Sequence, residues 1–248
     1  MPFLIALAGF LLSPLLTRLA ILTVTGKSSV ICPYCQTPYR PWFALEGLIL
    51  HRGRCPSCGA PYLFPYALAE VSTPVIFSLI WQKFGLTFYT LFALLYSVAF
   101  ILLFVTDTTH RLLPNVVVFP AIILALIGEG IREGLNPGPY LRTHIMGGFL
   151  SLLLFITFYA LGQAFARWKS VEEVAFGLGD VKLAALIGII LGYPKGLQAL
   201  LAGVFLNGIV ALAIMVRGIM SKRFNPLTPF PYGPGLMVSF FTFWLFPP

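Results

Sequence analysis

Long apolar stretches separated by short polar breaks run the length of the chain. Eight of them approach the ~20 residues that a membrane-spanning helix needs. They cover roughly 2–22, 66–83, 86–106, 114–131, 144–166, 179–193, 196–216 and 231–247. The sixth is short and begins at Asp180. The only polar region of any size is 24–65. This pattern predicts an all-α polytopic membrane protein with about eight transmembrane helices and one small polar loop.

Composition agrees with that reading. Of 248 residues, 58% are hydrophobic and 10% are charged, and the mean hydropathy is +0.92. A soluble domain needs more polar cover than this. The first stretch reads as a retained span, because it has no basic region ahead of its apolar run and no clear A-x-A-like cleavage site.

Charge placement predicts the orientation. Arg18, Lys27, Arg40, Arg52 and Arg54 follow the first span or lie in the first loop. Arg111 lies in the third loop. Arg167, Lys169 and Lys182 flank the fifth, and Arg217, Lys222 and Arg223 mark the seventh. Twelve Lys and Arg thus fall on one face, against four (Lys83, Arg132, Arg142 and Lys195) on the other. The positive-inside rule makes the richer face cytoplasmic. The net charge of +8 is explained by these flanks. The basic residues form no run, so nucleic acid is not an expected partner and the lipid bilayer is.

Within this frame the chain has only two aspartates, Asp107 and Asp180, each at the edge of an apolar segment. A carboxylate near hydrocarbon is costly, ~2.5–3.5 kcal/mol at a helix centre, which marks it as a functional candidate. Both fall at odd-numbered loops and so on the predicted cytoplasmic side. Two carboxylates that meet can share one proton and activate water. The structural alternatives are a helix cap for Asp180 and an interfacial helix end for Asp107. Gly177 and Gly179, just before Asp180, let an extended substrate come close, because glycine has no Cβ. Lys182 is either a contact to substrate or a membrane-edge anchor.

All four cysteines lie in the polar loop, as Cys32-Pro-Tyr-Cys35 and Cys55-Pro-Ser-Cys58. The spacing fits a tetrahedral zinc site, in which each C-x2-C knuckle offers two sulfurs to one ion. Such a site has no open position, so the metal folds the loop and leaves catalysis to other residues. A redox CxxC, two disulfides and iron in S4 geometry are the alternatives. The first lacks a thioredoxin-like context and the second conflicts with a reducing compartment.

These residues together resemble the bacterial prepilin peptidases, the GxGD-type aspartic proteases. Gly177-Leu178-Gly179-Asp180-Val181-Lys182-Leu183 is similar to the family's GxGD-x-KL motif. Asp107 followed by Leu113-Pro114-Asn115 resembles the first aspartate region, and Pro231-Tyr232-Gly233-Pro234 the PFGP segment. Tyr66-Ala67-Leu68-Ala69-Glu70 is similar to the YPLVE stretch after the cysteine loop. The resemblance implies that Asp107 and Asp180 are catalytic and that Gly177, Gly179 and Lys182 support the substrate. It implies cleavage of the basic leader of type IV prepilins or pseudopilins at the cytoplasmic face of the bacterial inner membrane. Methylation of the new N-terminus by S-adenosylmethionine is also implied, with Glu70 and Arg18 as candidate contributors. In the first span Arg18 fits the family's pattern, whereas Ser13 stands where that pattern has Asn. The expected division is a region 1–90 carrying the zinc loop and the methyltransferase role, and a peptidase domain 91–248.

Rival classes are a presenilin-like intramembrane protease, a proton-coupled transporter with an acidic pair, and a zinc-held assembly subunit. A presenilin-like chain has Tyr-Asp at its first aspartate and a PAL motif near its end. Thr106-Asp107, PYGP and the cysteine pairs differ from that. No internal repeat of the transporter type is visible.

Overall fold

A computed structural model describes residues 2–27, 30–32, 34–38, 43–132, 139–169, 177–220 and 231–246. Arg40, Lys222 and Arg223, used in the sequence argument, lie outside them. The described residues form helices α1 (Pro2–Thr25), α2 (Ala44–His51), α3 (Phe64–Phe84), α4 (Phe88–His110), α5 (Asn115–Arg132), α6 (Pro139–Lys169), α7 (Leu178–Leu191), α8 (Lys195–Met220) and α9 (Gly233–Leu245). The fold class is all-α, as the apolar pattern predicts. Six helices, α1, α3, α4, α5, α6 and α8, are long and apolar enough to span a bilayer. The expected sixth and eighth spans are the shorter α7 and α9. The 14 residues of α7 make a rod of about 21 Å, short of a hydrocarbon core of ~30 Å. Around the six long helices, large apolar side chains such as Phe3, Leu11, Phe149 and Phe205 face outward, as suits lipid.

The chain divides into two compact units, Met1–Phe119 and Pro120–Pro248. The division falls at Pro120 inside α5, where the helix lacks one backbone N–H.

In the first unit α1, α3 and α4 pack on one another, and α2 rests on α3. The cysteine loop is built from two copies of one small motif. Cys32-Pro-Tyr-Cys35-Gln36-Thr37-Pro38 and Cys55-Pro-Ser-Cys58-Gly59-Ala60-Pro61 share the pattern C-P-x-C-x-x-P. In each copy the first Cys N–H donates to the carbonyl five residues on, Thr37 or Ala60, at 3.1 and 2.8 Å. In each, the residue after the second Cys donates back to the first Cys carbonyl, at 2.9 Å for both Gln36 and Gly59. That residue adopts positive φ, +57° at Gln36 and +72° at Gly59, so the second knuckle carries the residue with no steric cost there.

Glu70 ties this loop to the spans. It is 1% exposed. Its two carboxylate oxygens accept the backbone N–H groups of Ala44 and Leu45 at 2.9 and 2.8 Å. These are orphan donors of the first turn of α2, which has no side-chain cap of its own. Arg18 of α1 is half-buried and acts electrostatically on Glu70. One carboxylate therefore joins α1, α2 and α3.

In the second unit α7 is the central helix, with α6, α8 and α9 packed against it. Ten of its residues are buried, from Asp180 to Ile190, as expected of a helix that is apolar all round. The crossing with α6 is close because both helices present small residues. A Cβ on Gly147 would lie 2.5 Å from the Gly188 carbonyl, and one on Gly188 would strike the Gly147 backbone. Such small-residue contacts let helices associate where lipid supplies no hydrophobic drive. At the far end of α7 from Asp180, His144 Nδ1 lies 2.6 Å from the Ile189 carbonyl and 3.8 Å from fully buried Glu129. The Tyr140 hydroxyl donates to the same Glu129 oxygen at 3.4 Å.

Two substitutions test these joints. Gly188→Leu forces side-chain atoms into the Gly147 backbone, which cannot rotate away; a cost of ~1–3 kcal/mol or more is expected. A thermal unfolding midpoint in detergent equal to that of the parent chain would show a looser crossing. Glu70→Leu leaves two N–H groups of α2 without their acceptor, with an expected loss of ~1–3 kcal/mol. Limited proteolysis should then cut the segment 43–63 faster while leaving the spans intact.

Candidate active site

Asp107 lies one turn before the end of α4. Its carbonyl accepts the Arg111 N–H at 2.9 Å, where α4 terminates in a left-handed residue. The side chain is 6% exposed. Near a helix C-terminus the peptide dipoles disfavour an anion, so Asp107 does not serve as a helix-stabilising charge. Thr108 and Thr109 beside it donate their hydroxyls back to the Phe104 and Val105 carbonyls, both at 2.6 Å.

Asp180 lies at the opposite kind of helix end. It is the third residue of α7, and its Oδ2 accepts the Gly177 N–H at 3.1 Å. The charge faces the positive end of the helix dipole. The capping alternative thus holds in part: Asp180 does cap, from inside the first turn. The side chain is 9% exposed. Gly177 and Gly179 flank it, and Cβ atoms on Gly177 would meet nothing closer than 3.7 Å. A Cβ on Gly177 would therefore come into ordinary contact with the Asp180 carboxylate itself. Lys182 is half-buried on α7, but residues two apart on a helix do not share a face.

The structure adds two residues to this half of the site. Tyr232, at the start of α9, is near enough to Asp180 to interact with it electrostatically. Its backbone carbonyl accepts the side-chain amide of buried Asn207 from α8 at 2.8 Å. Gly235 packs directly on that amide, with no room for a Cβ. Asn207 so anchors the Pro-Tyr-Gly-Pro turn beside Asp180. The turn was legible in the sequence as the PFGP-like segment, whereas Asn207 is an isolated amide within an apolar run and carries no local signal.

Asp107 belongs to the first unit and Asp180 to the second. At the same end of the first unit as Asp107, the four cysteines converge. Their sulfurs all lie within 4.8 Å of one another. Cys32 and Cys58 are 3.6 Å apart, as are Cys35 and Cys55. A tetrahedral zinc with Zn–S near 2.3 Å sets its sulfurs ~3.8 Å apart, so the four side chains fit that ion. Their acidities are split. The Thr37 hydroxyl and N–H beside Cys35 lower its thiol to about 6. Cys58 is pushed up to about 12: the Ala60 N–H opposes the rise, while desolvation and the three other sulfurs drive it. Four sulfurs this close cannot all ionise without a cation among them.

A cleft of ≈ 700 Å³ opens between the cysteine loop, the end of α1, the start of α3 and the end of α4. Cys32, Tyr62, Tyr66, Thr108 and His110 are among its walls. The Tyr66 and Thr109 hydroxyls are hydrogen-bonded across it.

Comparison with known proteins also finds two parts, but divides the chain between α3 and α4 rather than within α5. Residues 92–212 match the type IV leader peptidase family, and residues 5–84 match the bacterial peptidase A24 N-terminal domain. The prepilin leader peptidase/N-methyltransferase of Neisseria gonorrhoeae is 30% identical over 86% of this chain and 69% of that protein. That of Legionella pneumophila is 30% identical over 84% of this chain and 69% of its own length. That of Bacillus subtilis is 25% identical over 83% and 76%. No solved structure matches. With its span-length apolar helices and these relatives, the chain belongs to the type IV leader peptidase family, as a multi-pass bacterial membrane enzyme.

Proposed function

We propose that this protein removes the basic leader of type IV prepilins or pseudopilins and then methylates the new N-terminus with S-adenosylmethionine. The observation that carries the peptidase half is the burial of the only two aspartates, 6% and 9% exposed, in a member of a leader peptidase family. Asp107 and Asp180 form the catalytic pair. They share one proton; the ionised member takes a proton from water, and the protonated one donates to the scissile carbonyl oxygen. Acid and base are roles of the pair rather than of either residue. Gly177 and Gly179 leave room for an extended peptide, and Lys182 supports the same segment.

The division of labour is a region 1–90 with the cysteine loop and the methyl transfer, and a peptidase domain 91–248. Cys32, Cys35, Cys55 and Cys58 hold one zinc ion, whose contribution is to fold the loop. Glu70 and Arg18 serve methyl transfer by fixing the corner of α1, α2 and α3. The enzyme works in the bacterial inner membrane with the cysteine loop and the aspartates facing the cytoplasm. The charge asymmetry of the loops supports that orientation.

A synthetic prepilin incubated with the purified chain, with and without S-adenosylmethionine, tests both halves by mass spectrometry. Leader loss and a gain of one methyl are expected. Asp107→Asn and Asp180→Asn should each lower leader cleavage by at least ~10²-fold at unchanged unfolding midpoint. Near-parent cleavage by either variant would remove the pair from the mechanism. Cys32→Ser should lower bound zinc below one per chain and speed proteolysis of the loop. Stoichiometric zinc in that variant would count against a four-thiolate site.

A further inference from the structure

We infer that His144 is a positioning residue for leader cleavage: by holding the far end of α7 to α6, it sets the place of Asp180. This role rests on the peptidase activity proposed above and adds the groups that keep its second aspartate in register.

At the Asp180 end, the cap bond comes from Gly177, the residue just before the helix, so it does not fix α7 along its axis. At the other end α6 grips α7 through an exchange of hydrogen bonds. In a continuing helix the Tyr193 N–H would serve the Ile189 carbonyl four residues back. Here it donates instead to the Thr143 carbonyl of α6, at 2.9 Å. The next residue of α6, His144, takes its place, with Nδ1 2.6 Å from the Ile189 oxygen. A carbonyl only accepts, so Nδ1 carries the hydrogen. Ile189 is one of the last four residues of α7, whose carbonyls lack a partner within the helix. One turn further along α6, Gly147 and Gly148 lie so close to Gly188 and Ile189 that neither has room for a Cβ.

The ring that makes this cap is itself clamped. Tyr140, one turn earlier on α6, packs on it with ring centroids 4.3 Å apart. The Tyr140 hydroxyl donates to Glu129 of α5 at 3.4 Å, and Arg132 lies 3.7 Å from the same Glu129 oxygen. His144 Nδ1 is 3.8 Å from that oxygen, too far for a hydrogen bond but close for an opposite charge. On the other edge of the ring, a Cβ on Gly192 would lie 3.2 Å from Nε2. Glu129 is fully buried, and a buried acid in a spanning helix is a functional candidate by default. Its use here is to hold the capping imidazole.

Asp180 lies nine residues before Ile189 on α7, about 13.5 Å along the axis. A helix is stiff in that direction, so a slip at Ile189 reappears at Asp180. A misplacement of ~1 Å caused far from the chemistry can cost ~10²-fold in rate.

The test uses the full chain in lipid nanodiscs. His144→Leu removes the donor and should lower kcat for leader cleavage about 10- to 10²-fold, with KM within about twofold of the parent. Asn carries an amide N–H where Nδ1 stands, whereas Gln carries its own further out. His144→Asn should therefore cleave at close to the parent rate, and His144→Gln should fall with His144→Leu. Methylation of a peptide supplied without its leader, a reaction assigned above to region 1–90, should be unchanged in all three variants. Equal loss of cleavage and methylation marks a general support of the fold and overturns the positioning role. Parent-rate cleavage by a folded His144→Leu, or equal rates for the Asn and Gln variants, overturns it too. Should His144→Leu not fold, the comparison of Asn with Gln decides. A parent chain that does not cleave prepilin removes the underlying activity and this role together.

Discussion

A polar group surrounded by apolar side chains and lipid must find a partner inside the protein, because no water is there to supply one. Much of this structure follows from how that condition is met. Glu70 meets it by taking two orphan N–H groups of α2. Asp180 meets it with the N–H of Gly177 and the dipole of α7. Asn207 spends its amide on the Tyr232 carbonyl, and Glu129 gathers Tyr140, His144 and Arg132. In each case the polar contact joins separate helices or a helix to a turn. The residues least at home in the membrane are thus the ones that fix the geometry. Asp107 lies at the other pole, near the C-terminal end of α4, where the helix dipole disfavours an anion.

The second constraint is length. A helix of 14 residues cannot cross a bilayer alone, and α7 does not have to. It is enclosed by α6, α8 and α9, and its ends are therefore set by protein rather than by the lipid boundary. The glycine crossing at Gly147 and Gly188 brings α6 close enough to do this. Enclosing α7 gives Asp180 a fixed position in its first turn, held by the Gly177 N–H.

Legibility from sequence followed the range of the interaction. Features set by neighbours along the chain were visible: the apolar spans, the C-x2-C pairs, the glycines before Asp180, and the Pro-rich turn before α9. Eight spans were expected because length was counted by apolar run. Six helices reach spanning length because α7 and α9 end early, at Gly192 and Phe246. The repeated C-P-x-C-x-x-P knuckle stood in the sequence, but its meaning lies in paired backbone bonds that appear only in three dimensions. Glu70 stood out in the sequence only through the YPLVE-like stretch, and its acceptor role was hidden because it concerns residues 26 and 25 positions away. Asn207 and Glu129 were missed for the same reason. Their partners are on other helices, and no periodicity marks a single amide or acid in an apolar run.

The N-terminal unit also gains a rationale from these contacts. A cysteine loop at the end of a helix bundle could be a loose appendage, but its anchoring argues otherwise. Glu70 fixes α2, α2 leads into the second knuckle, and the first knuckle's Cys32 lines the same cleft as Tyr66 and His110. A change in the loop is therefore transmitted to the walls of the cleft rather than lost in a flexible tether. The cysteine knuckles, the carboxylate cap and the cleft walls form one frame around the end of α4. A reaction that must deliver a methyl group to one nitrogen and no other depends on that kind of rigidity.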